Sequence, residues 1–181
     1  SLVAFSSKRP SFQTFSSDAA MVRYTSSGAR DTAFGTGGIR TADLFPLSWD
    51  VRALALGPGG KVHYAGMLFD GFDADAAVGK LTAQGQKDAF GIDGAASFDF
   101  GASDDIAHAI VVLPDGSSVI AGRQILQGTG SFLLAKFDSN GNRMSGFGNL
   151  GTRIHTMGIG YAEAFALATQ PDGKFVSAGY A

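Results

Sequence analysis

The feature that most constrains this chain is a repeat. Phe-Gly stands at Phe34-Gly35, Phe90-Gly91 and Phe147-Gly148, at steps of 56 and 57 residues. A proline turn recurs at the same steps, as Pro58-Gly59-Gly60, Pro114-Asp115-Gly116 and Pro171-Asp172-Gly173. So does Ala-Gly, at Ala65-Gly66, Ala121-Gly122 and Ala178-Gly179. A basic residue ahead of a larger one follows the same register at Arg23-Tyr24, Lys80-Leu81 and Lys136-Phe137. Four landmarks in one register describe a single supersecondary unit built three times. Such a unit buries its apolar face by stacking on its neighbours.

Each unit divides into four strand-like runs, labelled a to d in chain order. Run a covers 20–24, 76–81 and 132–137, and a glycine turn at Gly28, Gly85 or Gly141 follows it. Run b begins near Ile39, Ala95 and Thr152. Run c covers 51–56, 107–112 and 164–169, and run d covers 62–65, 118–121 and 175–178. The proline turn between c and d presets φ with proline and accepts positive φ at glycine, which predicts an antiparallel hairpin. On alternation, Val51, Ala53 and Ala55 share one face of run c and Leu54 and Leu56 the other, with Arg52, His108 and Thr169 as polar exceptions near the strand ends. Both faces are largely apolar, so run c is covered on both sides. Strand is the better reading than helix there, because these runs are shorter than the roughly 12 residues a marginal helix needs and a turn proline closes each.

The expected fold class is all-β, with β-propeller-type repeats forming about three four-stranded antiparallel blades. The units are residues 19–74, 75–130 and 131–181, preceded by an orphan strand and serine-rich linker over 1–18. Leu2-Val3-Ala4 resembles the end of a d run, as in Val119-Ile120-Ala121. A chain that starts inside a strand-like segment reads as processed or as a fragment. Closed propellers use 4–8 blades. The expected partners are therefore further blades of the same polypeptide or other protein chains, with a homo-oligomer among the outcomes. An open stack of small sheets is the alternative architecture.

The pattern Phe-Gly-x-Gly-Gly, then Ala-x-Ala-x-Gln-Pro-Asp-Gly-Lys, then Ala-Gly resembles the delta-60 repeat of bacterial propeller proteins. The third unit carries it most fully, from Ala164 through Gln170-Pro171-Asp172-Gly173-Lys174 to Ala178-Gly179. The first keeps Asp31-Thr32-Ala33-Phe34-Gly35-Thr36-Gly37-Gly38 but has Gly59 in place of the turn aspartate, and the second has Ser117 in place of lysine. The resemblance covers about nine-tenths of the chain. It implies a propeller in a secreted or cell-surface bacterial protein, and no particular reaction.

Composition narrows the function classes. Fourteen basic against sixteen acidic residues give a net charge of −2, which lacks the basic footprint of a nucleic-acid binder. No apolar run reaches the roughly 20 residues of a membrane helix. Cysteine is absent, which excludes disulfides and thiolate chemistry. His63, His108 and His155 fall in runs d, c and b of different units, without the convergent spacing a zinc site needs. Asp138-Ser139-Asn140-Gly141-Asn142 has no distal glutamate at calcium-loop spacing and reads as a turn. Asp70, Asp73 and Asp75 are the weak metal candidates, as a cluster of oxygen ligands in one loop, set against their reading as solvated turn formers. Asp99, Asp104 and Asp105 crowd a second loop. No serine stands in Gly-x-Ser-x-Gly, and the glycine-rich segments are not followed by the helix of a phosphate loop. Trp49 is weighed between sugar stacking and packing, in favour of packing.

No catalytic residue and no cofactor is assigned. The repeated positions read as structural. The expectation is a non-catalytic scaffold or binding surface. The alternatives are a strand-joined filament or oligomer and a hydrolase-type propeller with channel carboxylates. Polar residues recurring at one channel-facing position would favour the enzyme.

Overall fold

The computed structural model describes residues 2–7, 19–41, 48–69, 73–100, 104–158 and 160–181. Among them there is no α-helix, and the chain forms thirteen strands. Strands β1 (Leu2–Ser7), β2 (Ala19–Tyr24) and β3 (Ile39–Thr41) make sheet I. Strands β4 (Ser48–Leu56), β5 (Val62–Phe69), β6 (Ala74–Leu81) and β7 (Ala95–Phe98) make sheet II. Strands β8 (Ile106–Val112), β9 (Ser118–Leu126), β10 (Thr129–Phe137) and β11 (Thr152–His155) make sheet III. Strands β12 (Glu163–Thr169) and β13 (Phe175–Tyr180) make sheet IV. Neighbours within each sheet are antiparallel. No described helix is long and apolar enough to cross a membrane.

Each four-stranded sheet takes runs c and d of one unit and runs a and b of the next. Cuts after residues 74 and 130 therefore pass through β6 and β10. The orphan d strand is β1, which among the described residues pairs with β2 alone. Its register differs by one residue from the alignment of Ala4 with Ala121. Ala4 lies opposite Val22, whereas Ala121 lies opposite Leu134, the counterpart of Met21. The d–a turn of sheet III is a two-residue hairpin at Gln127-Gly128, both with positive φ (51° and 78°), the pair a type I′ turn requires.

The strict alternation expected of run c breaks at one point in every copy. Residues 52, 108 and 165 are bulges: Val51 pairs with Gly66 and Ala53 with Ala65, and the same skip occurs in β8 and β12. An inserted residue reverses the facing of everything before it. Val51 accordingly packs with Trp49 and Leu54, while Ala53 and Ala55 pack on the opposite side. The Ala-Gly glycines permit the bulge. A Cβ on Gly66, Gly122 or Gly179 would lie 1.9, 1.8 or 1.8 Å from the carbonyl oxygen of Asp50, Ile106 or Glu163.

The sheets stack in chain order. Met21 and Phe34 of sheet I meet Trp49, Tyr64 and Leu81 of sheet II. The other face of sheet II, with Ala65 and Val78, meets Ile110, Ile120, Leu133 and Phe137 of sheet III. Ala109, Ala121 and Phe132 of sheet III then meet Ala162 and Ala164 of sheet IV. The first strands of consecutive sheets lie together, β4 beside β8 and β8 beside β12, because run c carries the alanines that let backbones approach.

Candidate functional site

Among the described residues, two arrangements of polar side chains between sheets stand at corresponding positions of the repeat. The first is a lock formed by the Phe-Gly loop of one sheet and the a–b turn of the next. Gly35 N–H donates to Gln84 O at 2.8 Å, and Gly91 N–H donates to Asn140 O at 2.7 Å. Beside each bond a basic residue of run a reaches the neighbouring carbonyl: Arg23 donates to Ala83 O, and Lys80 Nζ to Ser139 O at 2.6 Å. The cations also lie over the loop phenylalanines, Arg23 4.9 Å from the Phe34 centroid and Lys80 5.2 Å from that of Phe90. Each has an acid in its own sheet, Asp31 for Arg23 at 2.9 Å and Asp88 for Lys80 at 3.5 Å. The turn glycine is needed twice over. Gly85 and Gly141 have φ of +79° and +89°, and a Cβ on either would come within 3.0 Å of the preceding sheet.

The second arrangement is built on the bulges, which turn residues 52, 108 and 165 into one row. Arg52 Nη1 donates to His108 Nδ1 at 3.3 Å, and the His108 ring lies 5.1 Å from that of Phe165. The other ring nitrogen of His108, Nε2, bonds Glu163 Oε1. Glu163 is buried. It also accepts from Arg123 Nη1 at 3.4 Å on both oxygens and from the Tyr180 hydroxyl at 3.5 Å. Arg52 is held by Asp50 at 3.1 Å, and Arg123 lies over Tyr161 at 5.3 Å.

Burial pushes the His108 imidazole below its ordinary value, against the opposing pull of Glu163. Neutral imidazole suits both contacts, donating from Nε2 to the carboxylate and accepting at Nδ1 from the guanidinium. Neither ring nitrogen is then left for a substrate. Within this row there is no hydroxyl or thiol to serve as a nucleophile. The network joins three sheets through a satisfied buried carboxylate.

The positions expected from sequence fall as follows. Phe34 and Phe90 are buried in the lock, and Phe147 is half-buried. Gly35, Gly91 and Gly148 hold φ of 57°, 53° and 59°, and a Cβ there would sit 2.1–2.2 Å from the carbonyl oxygen four residues on. Gly60, Gly116 and Gly173 close the turns after Pro58, Pro114 and Pro171, with φ of 74°, 81° and 82°. Asp75 lies in β6 opposite Leu68, and Asp73 lies just before that strand. Asp70 is outside the described residues. Among the described residues no three His, Asp or Glu side chains converge as metal ligands. Asp138 caps its own turn through Asn140 N–H and Asn142 N–H. Trp49 is buried edge-on against Tyr64, with centroids 5.3 Å apart, which is the packing role.

Sequence reasoning noted Arg52 and His108 as exceptions without linking them to Glu163. The signal was the shared step of 56 residues between Arg52 and His108. The bulge that aims both side chains has no marker in the sequence except the glycine on the facing strand. In comparisons with known proteins, no family model matches the chain, and no curated protein matches it.

Proposed function

We propose that this chain is a run of propeller blades of the delta-60 kind, acting as a non-catalytic scaffold or binding surface in a secreted or cell-surface bacterial protein. The observation that carries the reading is the use made of the polar groups. Arg23, Lys80 and the two Phe-Gly loops staple one sheet to the next, and Glu163 is spent on His108, Arg123 and Tyr180. Close approach of the first strands, with polar residues at their bulges, supports a fan of sheets about an axis. The three bulge residues are an arginine, a histidine and a phenylalanine, so no carboxylate recurs at the axial position as the channel-enzyme alternative requires. Loops at one rim of such a fan are the natural binding elements.

The reading is tested with a panel of chromogenic ester, glycoside and phosphate substrates, run on the wild type and on Glu163→Gln. The scaffold reading expects no turnover from either protein, and a lower melting temperature for the variant. Turnover that disappears in Glu163→Gln while the melting temperature holds would overturn it.

A further inference from the structure

The His108 ring, on sheet III, bonds a side chain in each adjoining sheet, and the chemistry of those neighbours fixes where its proton sits. Arg52 of sheet II reaches Nδ1 at 3.3 Å. A guanidinium has donors only and keeps its charge in a protein, so Nδ1 must offer a lone pair. Glu163 of sheet IV meets Nε2. A protonated Glu163 donating to Nε2 would force the ring hydrogen onto Nδ1, against the Arg52 donor. Glu163 is therefore an ionised acceptor, and Nε2 carries the hydrogen. Arg123 Nη1, which donates to both Glu163 oxygens at 3.4 Å, favours the same state.

This assignment leaves one place for a second proton. It enters the ring at Nδ1, where it turns the acceptor of Arg52 into a donor held against a cation. The bond between sheets II and III does not survive that change. The bond to Glu163 gains by it, because a neutral donor facing a carboxylate becomes a charged one. One proton thus weakens the row on one side of His108 and strengthens it on the other.

The surroundings let the exchange occur with little else moving. The Arg52 side chain is 31% exposed, against 10% for His108 and 7% for Glu163. The guanidinium can turn to solvent while the ring and the carboxylate stay covered. Arg52 Nε stays on Asp50 at 3.1 Å, within the same strand. The charged groups around the ring are Arg52 from β4, with Asp50 beside it, Arg123 from β9 and Glu163 from β12. Tyr180 of β13 reaches Glu163, not the ring. β5 brings the uncharged Met67, whose sulfur lies 3.9 Å from Arg52 Nη2. β6 packs with β8 through Ala76 and Val78. Burial, the largest influence, holds the imidazole below its ordinary 6.5. Glu163 pulls it up, and Arg52 and Arg123 push it down. The Arg52 bond is accordingly present above 6.5 and lost as pH falls through the lowered value.

We propose that His108 is an acid-operated coupler between sheets: neutral, it ties sheet II to sheet III through Arg52, and protonated, it releases Arg52 and tightens sheet III on sheet IV through Glu163. This goes beyond the scaffold reading and does not depend on it. The lock at Phe90 joins sheets II and III independently, so the change is confined to the bulge row. There the released Arg52 presents its terminal nitrogens to solvent, and the surface gains an accessible cation in acid.

Nitrogen-15 NMR of the whole chain reads the ring directly. The chain has three histidines, and the signal lost in His108→Phe assigns this one. Above the ring's midpoint, Nδ1 should show the shift of an unprotonated acceptor and Nε2 that of a protonated nitrogen. Below it, both should be protonated. Arg52→Met removes the cation and the donor but keeps an apolar stem beside Met67, so the midpoint should rise towards 6.5. Glu163→Gln removes the opposing carboxylate, and the midpoint should fall. Double-mutant cycles in urea then report the bonds between sheets. The coupling of Arg52→Met with His108→Phe should be worth about tenfold in the folding constant above the midpoint and vanish below it. The coupling of Glu163→Gln with His108→Phe should grow below it. A neutral ring protonated at Nδ1 overturns the proposal, and the wild type alone decides this where a variant fails to fold. So does a midpoint that Arg52→Met leaves in place, or an Arg52–His108 coupling equal on both sides of it. None of these readouts uses a substrate, so failure of the scaffold reading would appear separately, as turnover.

Discussion

Asp105 offers a sharp test of how the sheets are held. It lies immediately before β8, with no exposed surface. Its Oδ2 accepts from Phe100 N–H at 2.6 Å, and its Oδ1 is buried without a hydrogen-bond partner. Burial pushes its carboxyl up to about 7, with Asp99 and Asp75 adding to the rise. The folded protein therefore keeps this proton over a range in which the unfolded chain has lost it. Stability from this group is present below about pH 4 and is lost as pH rises through 7. The interval between 3.8 and about 7 amounts to roughly 4 kcal/mol. His63 has the opposite sense. Burial holds its imidazole down at about 4, so its contribution is present above 6.5 and lost as pH falls through 4, by roughly 3 kcal/mol. The two slopes oppose each other over one window, and together they leave the wild type nearly flat there.

Asp105→Asn removes one slope and keeps an acceptor for Phe100 N–H. The stability difference between variant and wild type should shift in favour of the variant by roughly 4 kcal/mol between pH 4 and pH 8. In urea that is about 2 M in midpoint. The variant alone should lose stability towards acid, as His63 then acts unopposed. Fluorescence of buried Trp49, the sole tryptophan, reports the transition. A difference independent of pH would refute the reasoning, because Asp105 would then be ionised in the folded state.

Three further outcomes follow from the same geometry. Gly122→Ala should cost about 4 kcal/mol or more, seen as a melting temperature lowered by roughly 10 °C, since its Cβ would sit 1.8 Å from Ile106 O. Glu163→Gln should cost about 3 kcal/mol in chemical denaturation by leaving Arg123 without its carboxylate in a buried network. Gly28→Ala and Gly85→Ala share the strain of a positive φ, about 1–2 kcal/mol, but only the second meets a neighbouring sheet, at 2.9 Å. Parallel melts should therefore rank Gly85→Ala as clearly the more harmful, and equal losses would show that the lock contributes nothing.

The strands were legible because their limits are chemical. Pro114-Asp115-Gly116 and its counterparts fix turns, and alternating apolar residues fix the faces between them. Runs a, c and d of the sequence correspond to β2, β4 and β5 and to their later copies. The sheets were half a period out of step with the units, since periodicity alone has no origin and the pairing of β5 with β6 crosses the link between units. The facing of Val51 was misread because a bulge is set by the partner strand: Gly66 makes room, and nothing in residues 50–53 announces the extra residue. The Glu163 network was hidden for a related reason. The partners of Glu163 lie 17 to 55 residues from it along the chain, and only the stacking of the sheets brings them together.

The bulge separates two demands that a packed strand normally sets against each other. Run c must present small residues so that consecutive sheets approach, which leaves little freedom at Ala53, Ala107 or Ala164. An extra residue with no opposite number on the d strand is released from that packing, and its side chain is re-aimed. The backbone device is the same at 52, 108 and 165, yet the side chains are arginine, histidine and phenylalanine. The bulge thus fixes the backbone at these positions while leaving the side chain there free of the small-residue requirement of run c. A stack of sheets of this design would acquire new contacts along this row first, while the lock at Phe34 and Phe90 holds the sheets in place.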